Sequence, residues 1–436
     1  MKKNLYKNIL YFLIALPGLV LLMNKYHYVG ISSFILILIL GLVFLFYKKS
    51  ITQYHFEILF ILSIIYIYFI LSYFISNQTA DNFFSYSFLR HDGNFFFNYL
   101  PFFALAIPYF NYRKVTNIFF KFIFFTFTFA SIIGLIEYFT KKFNLFFGTQ
   151  NREEVFLVLN NTHNATGSVY AVICIFLLAF FLLENKKYVK VIYFLALFVC
   201  VAGLLLTRSR GSYIGFIVGA VIVLWLYYRS LVKFFITMIL MLAASVPMIL
   251  FTGTFDRIKM IFDLSESNVS VRFVLWERAW YLFTRSPIFG MGFGRYNDIN
   301  YISRSETIPS LDLFIGYPNI AAFYMEPAYR FSFSHAHNAY FQFLAETGII
   351  GLGLLLFFWI LCYRKILKGY NLTRDGFSKK VFLSSLGGIA SLFALSLTEN
   401  YFSATTVMIC LSMTVSLAIG LSWQESLKDD YKKISD

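Results

Sequence analysis

The chain has 436 residues, of which 59% are hydrophobic, 21% aromatic and only 14% charged, with a formal net charge of +15. Soluble domains average about 45–50% apolar and about 25% charged, so a mean hydropathy of +0.69 excludes a soluble globular class. The four cysteines, Cys174, Cys200, Cys362 and Cys410, fall inside apolar stretches with no metal-ligand spacing, which excludes a disulfide framework and makes them packing residues.

A hydrocarbon core of about 30 Å asks a crossing helix for roughly 17–25 apolar residues. Stretches of that kind lie near 8–23, 29–46, 56–76, 95–110, 115–139, 164–183, 189–206, 211–228, 232–251, 338–362, 381–398 and 401–422. The expected fold is therefore an all-α polytopic membrane protein with about 12 transmembrane helices. The first stretch follows Met1-Lys2-Lys3 as a signal peptide would, but no small-residue cleavage site follows it, so it reads as a retained helix. The division expected is helices 1–9 over 1–251, one long outer loop domain over 252–337 between spans 9 and 10, helices 10–12 over 338–422, and a tail over 423–436.

Orientation follows from the positive-inside rule. With the N-terminus cytoplasmic, 22 basic residues fall inside, including Lys48, Lys49, Lys186, Lys187, Lys379 and Lys380, and 15 fall outside. The positive charge thus reports topology and not nucleic-acid binding. A second asymmetry bears on function: 18 of the 22 inner basic residues are lysine, whereas 11 of the 15 outer ones are arginine. Topology is indifferent to that choice, but the planar fork of arginine suits bidentate contact with phosphate. Pairing with the outer acidic residues is the plainer alternative.

Taken in order, the outer stretches suggest chemistry. Asn160 to Asn164 is a polar cluster before the sixth span. At Thr207-Arg208-Ser209-Arg210-Gly211-Ser212-Tyr213, two arginines stand at a helix-to-helix turn, where free backbone N–H groups add to their charge in an anion cradle. The 83 residues from Thr252 to Ser334 hold no apolar span and eight residues of each charge, too long for a passive connector. Within them, Arg272, Trp276 and Trp280 are spaced four apart and line one helical face over Ser270 to Phe283, which suits a helix lying on the outer membrane surface. Glu277 and Arg278 lie off that stripe. Gly290-Met291-Gly292-Phe293-Gly294-Arg295 lacks the strand and helix of a nucleotide loop and reads as a tight turn.

At Ser334-His335-Ala336-His337-Asn338 a polar loop becomes an apolar helix. Residues two apart on a helix point about 200° from each other, so both histidines face one site only if His335 is still in the loop. His337, beside Asn338, is the better candidate base, since histidine titrates near physiological pH; a plain capping role is the alternative. Glu346 lies within the tenth span, and Glu399-Asn400 lies between the last two, where Glu399 is a candidate partner for an arginine such as Arg210. No carboxylate pair has metal-ligand spacing, so no metal and no cofactor is expected. Inverted repeats and central membrane charges, the marks of a transporter, are not seen; the charged candidates gather at the outer boundary.

Taken together, Ser209-Arg210-Gly211, the pattern from Arg272 to Gly294, and the H-x-H-N helix start running from His335 to Gly351 resemble the O-antigen ligase superfamily of bacterial lipid-linked glycan ligases and polymerases. The likeness covers roughly Asn160 to Asn400. It implies a type C glycosyltransferase-like fold in the inner (cytoplasmic) membrane, with both termini cytoplasmic and a periplasmic active site. It also implies transfer of a glycan from undecaprenyl pyrophosphate to an acceptor, either a lipid A-core sugar (ligase) or another lipid-linked repeat (polymerase), with the ligase favoured. Carried over, Arg210 and Arg272 bind the pyrophosphate and His337 is the base. Arg208, Arg278, Arg295, Asn338 and Glu399 are the further substrate-binding candidates. The doubled Arg208 and Arg210 leaves open which of the two turns inward.

Overall fold

A computed structural model describes residues 53–76, 79–85, 88–89, 92–105, 112–140, 147–150, 153–157, 162–251, 267–296 and 335–435. The expected spans at 8–23 and 29–46, and the loop segments 252–266 and 297–334, lie outside these described residues. The chain opens with α1 (Gln53–Ile75), α2 (Ala80–Phe83), α3 (Asn94–Asn98), α4 (Leu100–Ala104) and α5 (Tyr112–Thr140). A hairpin of β1 (Phe147–Gln150) and β2 (Glu153–Phe156) pairs antiparallel, with Phe147 opposite Phe156. Then come α6 (His163–Leu183), α7 (Lys187–Leu206), α8 (Arg210–Tyr228), α9 (Leu231–Phe251), α10 (Ser267–Arg285), α11 (Ala339–Leu372), α12 (Gly376–Leu395) and α13 (Thr405–Ser435).

Seven of these helices, α1, α5, α6, α7, α8, α11 and α13, are long and apolar enough to cross a membrane, so the chain is a multi-pass membrane protein. α12 falls short on hydropathy because it is rich in serine and glycine, yet it is almost wholly buried between α6, α8, α11 and α13. A helix sheathed by protein has no need of lipid-compatible side chains. The expected span over 95–110 is not a single helix: α3 and α4 part at Tyr99, and Pro101 in the first turn of α4 has no N–H with which to continue a helical ladder. Hydropathy alone is blind to that break.

Small residues set how the central helices meet. On α8, Gly211, Gly215 and Gly219 recur every four residues, the spacing that lets membrane helices approach closely. A Cβ at Gly215 would stand 2.5 Å from Leu395 of α12, and one at Gly219 would stand 2.8 Å from the carbonyl of Gly387. Gly211 continues the ridge onto Thr398, 2.2 Å from the same imagined atom. This contact locks the register of α8 along α12, and so it holds the turn before α8 against the turn after α12.

α11 is broken at Gly348, whose backbone (φ 65°, ψ −169°) is open to glycine but strained for other residues. Into the break threads the segment from Pro287 to Gly294. The N–H groups of Met291 and Gly292 donate to the carbonyls of Ala345 and Glu346 at 2.9 Å, and those of Ile349 and Ile350 donate to Pro287 and Ile288 at 2.9 and 3.3 Å. The expected tight turn is there, with φ of 74°, 118° and 76° at Gly290, Gly292 and Gly294, and it plugs the gap in the helix's hydrogen bonding. Past the break, Ile349 to Leu372 rises about 36 Å, enough to cross a bilayer core. Lys365, near its far end, pairs with Glu57 at 2.7 Å. Lys380 pairs with Glu184 at 2.6 Å and Arg113 with Asp375 at 2.9 Å, so these helix ends are tied by salt bridges.

The expected helix over Ser270 to Phe283 is α10. Its buried residues Ala279 and Leu282 join Tyr296, Ala336 and Ala345 in a small core of their own, Leu275 is buried as well, and Trp276 stacks on Phe341 at 5.8 Å. α10 therefore packs on the start of α11, with Trp276 turned onto that helix while Trp280 is 53% exposed.

Candidate functional site

The turn that carries the histidines is held from three sides. Asn338 caps α11, its Oδ1 accepting from the N–H groups of Tyr340 and Phe341 at 3.0 and 3.2 Å, and its Nδ2 donates to the carbonyl of Leu397 at 3.2 Å. The N–H of Ala339 donates to the carbonyl of Ser396 at 2.8 Å, which pins the start of α11 to the end of α12. Between the histidines, the N–H of Ala336 donates to Gln342 Oε1 at 2.8 Å, and Gln342 Nε2 in turn donates to Glu346 Oε1 at 2.6 Å. Glu346 Oε1 also accepts from the N–H of Tyr296 at 3.1 Å, at the end of the glycine segment. Glu346, which the sequence left without a role, thus anchors the turn through Gln342. The turn sets His337 at φ 48°, a left-handed conformation sparsely used by non-glycine residues and sustained by its surroundings.

These supports bring four residues from three elements onto the carboxylate of Glu399. His337 Nδ1 lies 2.8 Å from Oε2, and His335 Nδ1 lies 3.8 Å from the same oxygen. Asn164 Nδ2 donates to Oε1 at 2.9 Å, and Arg272 Nη2 stands 3.5 Å from Oε1. His335 is still in loop, so both histidines do face one site. Asn164 is fixed in turn: its Oδ1 accepts from Ser209 Oγ at 3.0 Å and its carbonyl accepts from the Tyr401 hydroxyl at 2.9 Å. Burial pushes the Glu399 carboxyl up, but the hydrogen bond with His337 and the charges of His337, His335 and Arg272 outweigh it and hold the group below the usual carboxylate range. The carboxylate is a fixed negative charge that orients His337 and faces Arg272.

His335, His337 and Glu399 bring ligand atoms within 4.8 Å of one another, a grouping that could hold a metal ion. The chemistry around it argues the other way: the Arg272 guanidinium repels a cation, and both carboxylate oxygens already have protein partners. The charge arrangement suits an anion brought to Arg272.

The other expected residues separate into two groups. Arg210 is the first residue of α8, and Arg208 occupies the turn before it at φ 54°. Between them Ser209 joins the network to Glu399 through Asn164, and Gly211 abuts Thr398, so the arginine turn lies beside the Glu399 turn. Arg278 has a different placement from the substrate-binding one expected: it is buried, its Nη2 donates to the carbonyl of Tyr296 at 2.8 Å and its guanidinium lies 4.9 Å from that ring, which ties α10 to the glycine segment. Arg295 lies in the glycine segment, where it abuts Gly292 near Ser76. Asn338 is a helix cap, and Glu399 has its oxygens committed to protein groups.

The Glu399 cluster opens onto a cavity of about 350 Å³. His335, His337 and Glu399 form one wall; Asp92 and Asn94 beside α3, and Thr162, His163 and Asn164 at the start of α6, form another. Asp92 and Asn94 had no sequence signal, since they sit in a short aromatic-rich segment without a motif. Residues 195–356, which carry Arg208, Arg210, Arg272 and His337 but stop short of Glu399, match the O-antigen ligase family. No curated protein matches the chain.

Proposed function

We propose that this chain, which belongs through residues 195–356 to the O-antigen ligase superfamily of lipid-linked glycan ligases and polymerases, transfers a glycan from undecaprenyl pyrophosphate to an acceptor sugar. It does so at the periplasmic face of the inner membrane, on a type C glycosyltransferase-like fold, and the acceptor is lipid A-core. The observation that carries the reading is the His337–Glu399–Arg272 constellation, a hydrogen bond of 2.8 Å and an ion-pair distance of 3.5 Å on one carboxylate.

With Nδ1–H donated to Glu399, His337 presents Nε2 as the acceptor for a proton. The acceptor hydroxyl oxygen attacks the anomeric carbon, its proton passes to Nε2, and the bond from that carbon to the pyrophosphate oxygen breaks with its electron pair leaving on the pyrophosphate. Attack opposite the leaving group inverts the anomeric centre. Arg272 and Arg210, with Arg208 beside them, neutralise the charge that grows on the pyrophosphate, so that no metal is needed. Glu399 holds the imidazole in one orientation and stabilises the imidazolium as it forms, the service a buried carboxylate gives to a histidine base.

Deletion of the gene followed by envelope glycan analysis tests this. A ligase deletion leaves long polymer on undecaprenol and bare lipid A-core, whereas single-repeat chains would assign the protein as the polymerase of the same superfamily. Complementation with Arg272→Ala or His337→Ala should fail although the protein still inserts; full complementation by both would remove the site assignment.

A further inference from the structure

The cavity beside Glu399 has a lining that no pyrophosphate would choose. Among the described residues its lining includes neither arginine nor lysine, but it does include two carboxylic acids, Asp92 and Glu399. Apart from Tyr401, its apolar lining residues are Ala165 and Ala404, so no row of long aliphatic side chains marks a path for an acyl chain. What remains is a dense set of hydroxyl, carboxamide, imidazole and carboxyl groups in a space at the low end of the range for small-molecule sites. Asn94 and Asn400 supply carboxamide groups to this set.

We infer that this cavity seats the terminal sugar of the acceptor, with Asp92, Asn94 and Asn400 reading its hydroxyl pattern while His337 takes the proton of the one that reacts. The inference rests on the proposed transferase reading and names its acceptor-specificity residues. The division of labour follows from charge: the anionic leaving group belongs with the arginines, and the neutral polyhydroxylated group belongs in a cavity whose described lining carries two carboxyl groups and no guanidinium. Asp92 suits such a task. Although it keeps partial exposure through the cavity, burial of its carboxyl lifts it to about 7 against a smaller lowering by a hydrogen bond from its own backbone. Its carboxyl accepts from a sugar hydroxyl and, when protonated, donates to a second sugar oxygen. Two of the three residues lie far from 195–356 in sequence, so acceptor choice can vary while the transfer machinery stays the same.

The test uses full-length protein in lipid nanodiscs and two acceptor probes, lipid A-core from the deletion strain and a single repeat on undecaprenyl pyrophosphate. Asp92→Asn, Asn94→Ala and Asn400→Ala should each raise the acceptor KM at least tenfold and leave the donor KM within twofold. An unchanged acceptor KM in all three, or an equal rise in donor KM, overturns the inference. Saturation-transfer NMR with the deacylated core and the delipidated repeat reads the cavity without turnover: signal on wild type that is lost in Asp92→Asn and Asn400→Ala supports it, and no signal from either sugar overturns it. If wild type transfers to neither probe yet still binds one, the transferase reading fails and the sugar site stands.

Discussion

Replacing Glu399 by glutamine keeps the shape of the side chain but removes its charge. An amide oxygen turned to His337 Nδ1 still accepts from it, so the imidazole keeps its orientation, while the amide NH2 in place of Oε1 no longer accepts from Asn164 and the charge that supports the protonated imidazole is gone. A hydrogen bond to a charged group contributes about 1.5–3 kcal/mol, against about 0.5–1.5 kcal/mol between neutral groups. The difference, about 1–2 kcal/mol, predicts a roughly 5–30-fold fall in kcat, given that each 1.36 kcal/mol is tenfold. Glu399→Ala also removes the partner of Asn164 and leaves Arg272 facing an uncompensated space, so its fall should be larger. The assay is single-turnover glycan transfer by purified protein, paired with a double-mutant cycle against His337→Ala. If the effect of Glu399→Gln is undiminished in the His337→Ala background, the two residues do not act as a unit and the orienting role is wrong. The same carboxylate has a signature in stability. Its folded pKa lies below the unfolded value of about 4.3, so its contribution is present at neutral pH and is lost as pH falls below about 4.3. The apparent Tm of wild type should drop in that acid range more steeply than that of Glu399→Gln; parallel curves would show that the charge is not held by its neighbours.

Two further substitutions probe the supports. Gly290→Ala would set a Cβ 2.3 Å from the carbonyl carbon of Glu346 at φ 74°, against backbone with no room to yield; overpacking of about 1–3 kcal/mol with about 1–2 kcal/mol for the left-handed residue should lower the apparent Tm, and an unchanged Tm would mean that the glycine segment is not docked in the break of α11. Gln342→Leu removes the group joining Ala336 to Glu346 and should reduce kcat at least tenfold with acceptor and donor KM little changed; a loss of kcat matched by a loss of folded, membrane-inserted protein would point to global misfolding instead.

Much of the architecture was legible in the chain because a bilayer imposes a length and an apolarity on every crossing helix. The arginine turn at Arg208 and Arg210, the helix around Arg272, the glycine turn and the His337 helix start could each be read as local features. The G-x-x-x-G ridge of α8 was also there to be read, although only its contact with α12 shows what it positions. Pro101 was visible as well, and hydropathy passed over it.

Tertiary structure decided which of these features meet. Glu399 lies 62 residues from His337 and 235 residues from Asn164; no periodicity links such positions, because their encounter depends on helix crossings set by glycines and on a break in α11 filled from another segment. The same distance effect separated the arginines: Arg272 reached the site, whereas Arg278, six residues on, was turned inward to Tyr296. Composition determined that this chain lives in a membrane. Only the packing decided that a buried carboxylate would stand between a histidine and an arginine, because a charge is placed by the elements around it and not by its neighbours in sequence.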